Sequence, residues 1–278
     1  MLDFSNSTDP DVVGMAVALG TLGARAEEVG LEPMLVGASA RTLWSIALTE
    51  GLPSRATQDV DVAVAVSSWD QLRTLTSLLT PEGNVEHRFV VEGVPVDVVP
   101  FGEVEAEDRT IRWADDHVMN VLGLREALDV RVPVLLPGGV RTSVPSVPAL
   151  ASLKVIAWLD RRLDTTRDAV DLAIIMGWWG TGPLLDEVYA AEHEEVLADC
   201  DFDPSRAGAA LLGAGMADVL GPDGAAAVLG RLDDDSASRW AADAGWSNPV
   251  WRQRFSDLVA ALGGRSGSTT GSSHKLRS

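Results

Sequence analysis

Two short runs constrain this chain more than anything else in it: Asp59-Val60-Asp61-Val62-Ala63-Val64-Ala65-Val66 and Val94-Pro95-Val96-Asp97-Val98-Val99. Each alternates with a period of two, the spacing of a strand whose successive side chains point to opposite faces. Val60, Val62, Val64 and Val66 then share one face, and Asp59, Asp61, Ala63 and Ala65 the other. In the second run Val94, Val96 and Val98 fall on one face and Asp97 on the opposite one. Carboxylates set among valines need a counter-charge, because unpaired charge taken out of water is expensive. Divalent cations are the usual answer: Mg²⁺ takes carboxylate oxygens together with substrate phosphates. Two such ions can clamp the attacking and leaving oxygens of a phosphoryl transfer. An Asp-x-Asp alone is a weak signal, better explained by solvated residues of an edge strand. The third carboxylate, on a second run of matching polarity, turns the balance.

The bulk properties exclude several classes. The chain is 278 residues long and 46% hydrophobic, enough for two modest domains with real cores. Its net charge of −19 argues against a protein that coats nucleic acid through a broad basic face. A local basic patch would still hold such a substrate. The single cysteine, Cys200, can form no intramolecular disulfide, which points to a reducing compartment. Residues 1–13 carry acids and no basic start before an apolar stretch, so no secretory leader is expected. No apolar run approaches the roughly 20 residues that span a bilayer. A cytoplasmic protein is expected.

Along the chain, Pro10 to Gly30 has helical spacing, and Met34-Leu35-Val36 reads as a short buried strand running into Gly37. Ala40 to Glu50 reads as a helix stopped at Gly51, with Pro53 just beyond. Ser67-Ser68-Trp69-Asp70 looks like the start of a helix over Trp69 to Leu79. Arg88 to Val91 and Val94 to Val99 flank Glu92-Gly93, a two-residue hairpin turn. Ile111 to Leu136 is mixed, with helix signals at Leu122 to Ala127, a strand signal at Val132 to Leu136, and a turn at Pro137-Gly138-Gly139. From Val147 the pattern is helical to about Leu262. The expected fold is therefore α/β (α+β): a mixed-sheet domain over 1–145, a helical domain over 146–262, and a flexible glycine- and serine-rich tail over 263–278.

Outside the aspartates, the candidates divide into strong and weak. Gly37, between a buried strand and a helix, would let the main chain approach a phosphate at the helix N-terminus, and Ser39 could add a hydroxyl. Taken alone, they are better explained by an ordinary strand-to-helix turn. Lys154 sits in a helix that is apolar nearly all round, so it either snorkels out or meets a counter-charge in a cleft. Thr165-Thr166-Arg167-Asp168 resembles a capping box with Asp168 as acceptor, while Asp171, one turn on, is expected to sit deeper. A Lys154–Asp171 contact is as compatible with structure as with catalysis. His193 lacks the partner spacing of a zinc site, and Cys200 has no companion histidine. The nine tryptophans are expected to pack, and Asp233-Asp234-Asp235 to form a solvated turn.

Taken together, Val36-Gly37-Ala38-Ser39-Ala40-Arg41, Arg55-Ala56-Thr57-Gln58-Asp59-Val60-Asp61 and Val96-Asp97-Val98-Val99-Pro100-Phe101-Gly102 resemble the DNA polymerase β-type nucleotidyltransferase superfamily. Within it the chain is most similar to the AbiEii/AbiGii-type toxin nucleotidyltransferases and related predicted bacterial nucleotidyltransferases. Trp113 to Leu124, Leu153 to Arg161 and Thr166 to Leu172 extend that likeness. The resemblance departs at Ala38, since the group usually follows its first glycine with Gly or Ser.

The resemblance implies a catalytic α/β domain and a helical domain with a nucleoside triphosphate between them. Asp59 and Asp61 would hold two Mg²⁺ ions, and Asp97 would serve the metal nearest the acceptor hydroxyl and could act as its base. Gly37 and Ser39 would touch the triphosphate and Lys154 would neutralise it, with Asp168 or Asp171 as the further aspartate of the nucleotide site. It also implies an RNA acceptor such as a tRNA end, an antitoxin encoded beside the enzyme, and no membrane partner. Arg161, Arg162 and Arg167 form a small basic cluster near the expected cleft. Two alternatives stand beside this reading: a nucleotidyltransferase acting on a small hydroxylated molecule such as an antibiotic, and a non-catalytic nucleotide- or partner-binding module.

Overall fold

The computed structural model describes residues 1–49, 59–180 and 182–264. In chain order these form β1 (Leu2–Asp3), α1 (Pro10–Glu28), β2 (Pro33–Leu35), α2 (Gly37–Thr49), β3 (Val60–Val66), α3 (Trp69–Thr76) and β4 (Thr80–Pro81). The hairpin β5 (Arg88–Val91) and β6 (Val94–Gly102) follows, then β7 (Thr110–Arg112), β8 (Val118–Asn120), α4 (Leu124–Asp129), β9 (Val132–Leu135) and β10 (Arg141–Val144). Among the described residues only helices come after: α5 (Val147–Arg161), α6 (Arg167–Gly180), α7 (Leu185–Val188), α8 (Glu194–Asp199), α9 (Pro204–Leu229), α10 (Ser236–Asp243) and α11 (Pro249–Gly264). No helix among them is long and apolar enough to cross a membrane.

A mixed sheet in the order β1-β9-β10-β2-β3-β6-β5-β4 organises the first half. Its centre is β3, antiparallel to β2 and parallel to β6. The alternation expected for β3 is present except at Ala63: Val60, Val62, Val64 and Val66 are all buried, Asp61 is half-buried and Ala65 exposed, but Ala63 on the aspartate face is buried as well. In β6 Val96 and Val98 are buried and Asp97 lies on the half-buried face. Glu92 and Gly93 both take positive φ, 51° and 81°, the twist that a two-residue hairpin needs. Helix α1 packs on the sheet against β2, β5, β6 and β10. Its start is capped by the Asp9 carboxylate, which accepts from the main-chain N–H groups of Asp11 and Val12.

Several boundaries differ from the sequence expectation. Helix α2 begins at Gly37 rather than Ala40, so the glycine is inside the first turn. Helix α3 stops at Thr76; Ser68 caps it, accepting from the Gln71 N–H. The hairpin of β7 and β8 inside the mixed segment, the edge strand β1, and β10 between β9 and β2 carry too few alternating apolar residues to announce themselves. The expected helix stop at Gly51 and Pro53, the motif residues Thr57 and Gln58, and the expected tail beyond Gly264 lie outside the described residues.

Helices α5 and α6 run back against each other and against α2, while α9 and α11 close the far side. Most of the tryptophans pack as expected, whereas Trp246 is exposed. Trp240 stacks on Phe255 with centroids 4.8 Å apart, Trp158 meets the same ring edge-on at 5.7 Å, and Trp178 and Trp179 are buried. Cys200 is buried, and His193 Nδ1 lies 2.7 Å from the Glu187 carbonyl.

Close packing of α9 on α11 depends on Gly213, where a Cβ would overlap the Leu258 carbonyl. Gly213→Ala is expected to lower stability by at least about 2 kcal/mol, read from urea midpoints. Gly23, inside α1 with open space where a Cβ would project, is the control: Gly23→Ala is expected to raise stability by about 0.5–1 kcal/mol.

Candidate active site

Parallel pairing of β3 with β6 places Asp61 directly beside Asp97 on the same face of the sheet. Asp59 stands just before β3, and the three carboxylates line one cleft of about 1610 Å³. Opposite them the cleft wall comes from α5 and α6, with Lys154, Asp168 and Asp171. The floor includes Val36, Gly37 and Ala38, the entry to α2. Gly37 has φ +62°, and a Cβ there would overlap the Asp61 carboxylate. Only glycine lets the main chain come this close to the carboxylate. Of the catalytic and nucleotide-binding candidates read from sequence, Ser39 alone is not part of the cleft lining. It is fully buried, and its hydroxyl donates to the Asp59 carbonyl at 3.1 Å. That bond ties the first turn of α2 to the start of β3.

The carboxylates meet an arginine that the sequence reading did not single out. Arg88 donates to Asp59 Oδ2 at 3.0 Å, and its Nε lies 3.5 Å from Asp97 Oδ1 and 3.2 Å from Glu82 Oε2. The hairpin register explains this, because Val91 opposite Val94 sets Arg88 opposite Asp97. Asp61 makes no ion pair of its own among the described residues. Burial, then the neighbouring charges of Asp59 and Asp97, push its pKa up to about 6, against the pull of Lys154 and Arg161. Burial also raises Asp97, whose Oδ1 accepts no hydrogen bond among the described residues. This donor set suits a hard divalent cation: carboxylates only, two of them in register, and short of positive charge. The described residues nevertheless contain no ready-gathered cluster of three or more metal-ligating side chains.

On the facing wall Lys154 is buried, with its Nζ 2.6 Å from Asp171 Oδ2 and 3.1 Å from Asp168 Oδ1. It meets counter-charges rather than snorkelling. The capping-box reading of Asp168 is corrected here. Its carboxylate accepts two hydrogen bonds from Arg161, at 2.7 and 3.0 Å, and one from buried Lys154, because charged donors compete for it more strongly than a main-chain N–H. Asp168 is as deeply buried as Asp171. Although burial opposes it, the Arg161 hydrogen bonds and the Lys154 charge hold the Asp168 carboxyl below its usual range. Fully buried Arg41, on α2, reaches Asp171 Oδ1 with its Nε at 3.4 Å. Charges thus alternate along Arg41, Asp171, Lys154, Asp168 and Arg161, joining α2, α5 and α6.

The expected basic cluster changes membership. Arg161 and Arg167 line the cleft, but Arg162 turns away to Asp243, at 3.1 Å, and to the Trp158 ring. Arg231 from the end of α9 takes its place in the lining and pairs with Asp160 at 2.7 Å. No local sequence signal marks Arg41 or Arg231. Arg88 was recoverable from the hairpin turn.

Two stability predictions follow from these charges. Asp168→Asn removes the acceptor that Arg161 and Lys154 share, while Lys154 keeps Asp171 and Arg161 can turn to solvent, so it is expected to cost about 1–3 kcal/mol at pH 7. A carboxyl whose folded pKa is depressed stabilises fully above its unfolded pKa and loses that contribution as pH falls through the folded one. The urea midpoints of wild type and variant should therefore converge as pH falls through the lowered folded pKa of Asp168. Asp61 has the opposite sign. Its raised pKa makes stability fall as pH rises from the unfolded value, 3.8, to about 6. Metal-free Asp61→Asn should melt above wild type at pH 8 and level with it near pH 4.

The family described as "Nucleotidyl transferase AbiEii toxin, Type IV TA system" matches residues 44–248, well over half of the chain. No curated protein matches the sequence significantly. Among solved structures, an antigenic nucleotidyltransferase-like protein from Paracoccidioides brasiliensis is 15% identical with a TM-score of 0.42, covering 69% of this chain and 92% of that one. The antibiotic-resistance factor ANT(2'')-Ia is 14% identical with a TM-score of 0.38, covering 68% and 96%. A CCA-adding enzyme from Thermotoga maritima, complexed with tRNA, is 12% identical with a TM-score of 0.25, covering 85% and 67%. The family match carries the assignment: this chain belongs to the AbiEii nucleotidyltransferase family, the group its motifs resemble, and is a nucleotidyltransferase.

Proposed function

We propose that the enzyme transfers a nucleoside monophosphate from a nucleoside triphosphate to a hydroxyl of an RNA, a tRNA end in the first instance, and releases pyrophosphate. It would act in the cytoplasm as the toxin of a toxin–antitoxin or phage-defence pair whose antitoxin is encoded beside it. One observation carries the reading. Asp59, Asp61 and Asp97 from the sheet, and Lys154 from α5, line a single cleft entered by the first turn of α2. In this reading residues 1–145 are the catalytic domain and 146–262 the helical domain that completes the nucleotide cleft.

The chain's own groups divide the work. The open face at Gly37 and the N-terminal turn of α2 receive the triphosphate, since helix N-termini bind anions. Ser39 supports that turn through its bond to the Asp59 carbonyl. Lys154, held by Asp168 and Asp171, brings positive charge to the polyphosphate. Asp59, Asp61 and Asp97 would hold two Mg²⁺ ions, which when bound neutralise charge on the attacking and leaving oxygens. Asp97 takes the proton of the acceptor hydroxyl, the freed oxygen bonds the α-phosphorus, and the bond to the β-phosphate bridging oxygen breaks. Positioning and charge supply most of the rate, as phosphoryl transfer needs little covalent help.

A second reading, a small hydroxylated acceptor, is favoured by one feature. Carboxylates in the cleft lining outnumber cations, with Glu82, Asp160 and Asp164 added to the aspartates already named. Such a lining repels a polyanion more than a compact molecule.

The test is incubation with α-labelled triphosphates, Mg²⁺ and total RNA. Label should pass to RNA, and Lys154→Met should lower the rate by about 10²–10³-fold. Asp61→Asn should abolish transfer while keeping the fold. Acceptor binding that weakens steeply with salt supports RNA, because phosphate contacts release counterions. A flat response with transfer to a small molecule favours the second reading. No transfer to any acceptor together with no triphosphate binding overturns both.

A further inference from the structure

The geometry points to Arg88 as a built-in stand-in for the divalent cation: it neutralises Asp59 and Asp97 in the resting cleft and must leave them when a cation binds. This inference rests on the reading that these carboxylates hold metal. One guanidinium serves three acids, with NH2 at 3.0 Å from Asp59 Oδ2, and Nε at 3.5 Å from Asp97 Oδ1 and 3.2 Å from Glu82 Oε2. Only the contacts to Asp59 and Asp97 engage the expected metal ligands. The Asp97 contact is an ion pair without a hydrogen bond, and Asp97 Oδ1 is left without one among the described residues. A planar fork aimed at two carboxylates on different strands satisfies neither fully, whereas a compact cation approached by both would.

The arginine is also placed to move. Its side chain is 34% exposed, it is anchored on β5 rather than in the core, and Glu82, 41% exposed, offers a partner outside the aspartate set. Leaving Asp59 and Asp97 can therefore keep one ion pair, that to Glu82. A guanidinium and a divalent cation cannot share the same carboxylate oxygens, so their binding is competitive. In the wild type a free cation must displace Arg88 unaided. A cation arriving with a triphosphate gains the phosphate oxygens as ligands and gives the displaced guanidinium an anion to meet. Cation binding is thus coupled to nucleotide binding.

The experiment measures Mn²⁺ binding by calorimetry, with and without α,β-methylene-ATP, in wild type, Arg88→Gln, Arg88→Lys and Asp61→Asn. Without nucleotide, Arg88→Gln should bind Mn²⁺ at least about tenfold more tightly than wild type, the scale of removing one charge beside a half-wet site. The nucleotide analogue should tighten Mn²⁺ binding more in wild type than in Arg88→Gln. Arg88→Lys keeps the charge and should stay within about threefold of wild type, which separates charge competition from damage to β5. Equal or weaker Mn²⁺ binding by Arg88→Gln, with binding still lost in Asp61→Asn, overturns the inference and leaves the metal reading standing. Absence of Mn²⁺ binding in every protein, with nucleotide present, overturns both.

Discussion

The cleft depends on the parallel pairing of β3 with β6. Val60, Val62, Val64 and Val66 are buried behind β3, and Val96 and Val98 behind β6. A slip of one residue would send every valine into the cleft and every carboxylate into the core, so apolar burial locks the register. The locked register then forces Asp61 against Asp97. Burial first, then the charge of Asp59 and to a lesser degree that of Asp97, raise the pKa of Asp61, the sign of carboxylates crowded into a partly dry site. The remaining charges in the cleft answer it: Arg88 comes from β5, and Lys154 and Arg161 come from α5. The hydrophobic face thus decides where the charges stand, and the charges decide what else the cleft must contain.

How much of this the sequence disclosed depends on whether the deciding interaction is local. The faces of β3 and β6 are local, since period-two alternation needs no knowledge of the neighbours. The hairpin is local as well, and its turn at Glu92-Gly93 fixes the pairing down to Arg88 opposite Asp97. That arginine was therefore available to sequence reasoning that followed the register to its end. Lys154 is different. Its helix is apolar nearly all round, so periodicity gives no face, and only the position of α6 says that the ammonium meets Asp168 and Asp171. Asp168 misled for the same reason. Thr165 to Asp168 has the spacing of a cap, but the cations arriving from α5 claim the carboxylate. Arg162 and Arg231 exchanged places in the cleft because side-chain direction at a helix end is set by tertiary partners, here Asp243 and Asp160.

The network from Arg41 to Arg161 is a poor source of stability. Burying ions costs several kcal/mol each before any pairing returns it, and an apolar replacement of similar volume often does as well. What the network does supply is fixed position. Asp171 faces Arg41 on one oxygen and Lys154 on the other, so the helix that begins at the phosphate-side glycine and the helix that carries the lysine share one carboxylate. A shift of α2 relative to α5 would separate charges on both sides of Asp171. The first turn of α2 at Gly37 and the ammonium of Lys154 are thereby held as one unit, the arrangement that the proposed stabilisation of a polyphosphate would need.

The acidity of the chain bears on the order in which the cleft can fill. With a net charge of −19 and a lining richer in carboxylates than in cations, the metal-free cleft presents an unfavourable field to any anion. A triphosphate cannot be drawn in by Lys154 alone, because that ammonium is already shared by Asp168 and Asp171. Positive charge has to enter with the substrate. The same field acts on an acceptor: a nucleic acid held here would be gripped at a few points such as Arg167 and Arg231, near its reacting end, rather than along its backbone. On the proposed function, an acidic cleft of this kind would disfavour broad backbone contact and favour an acceptor that presents a single hydroxyl at the carboxylate face of β3 and β6.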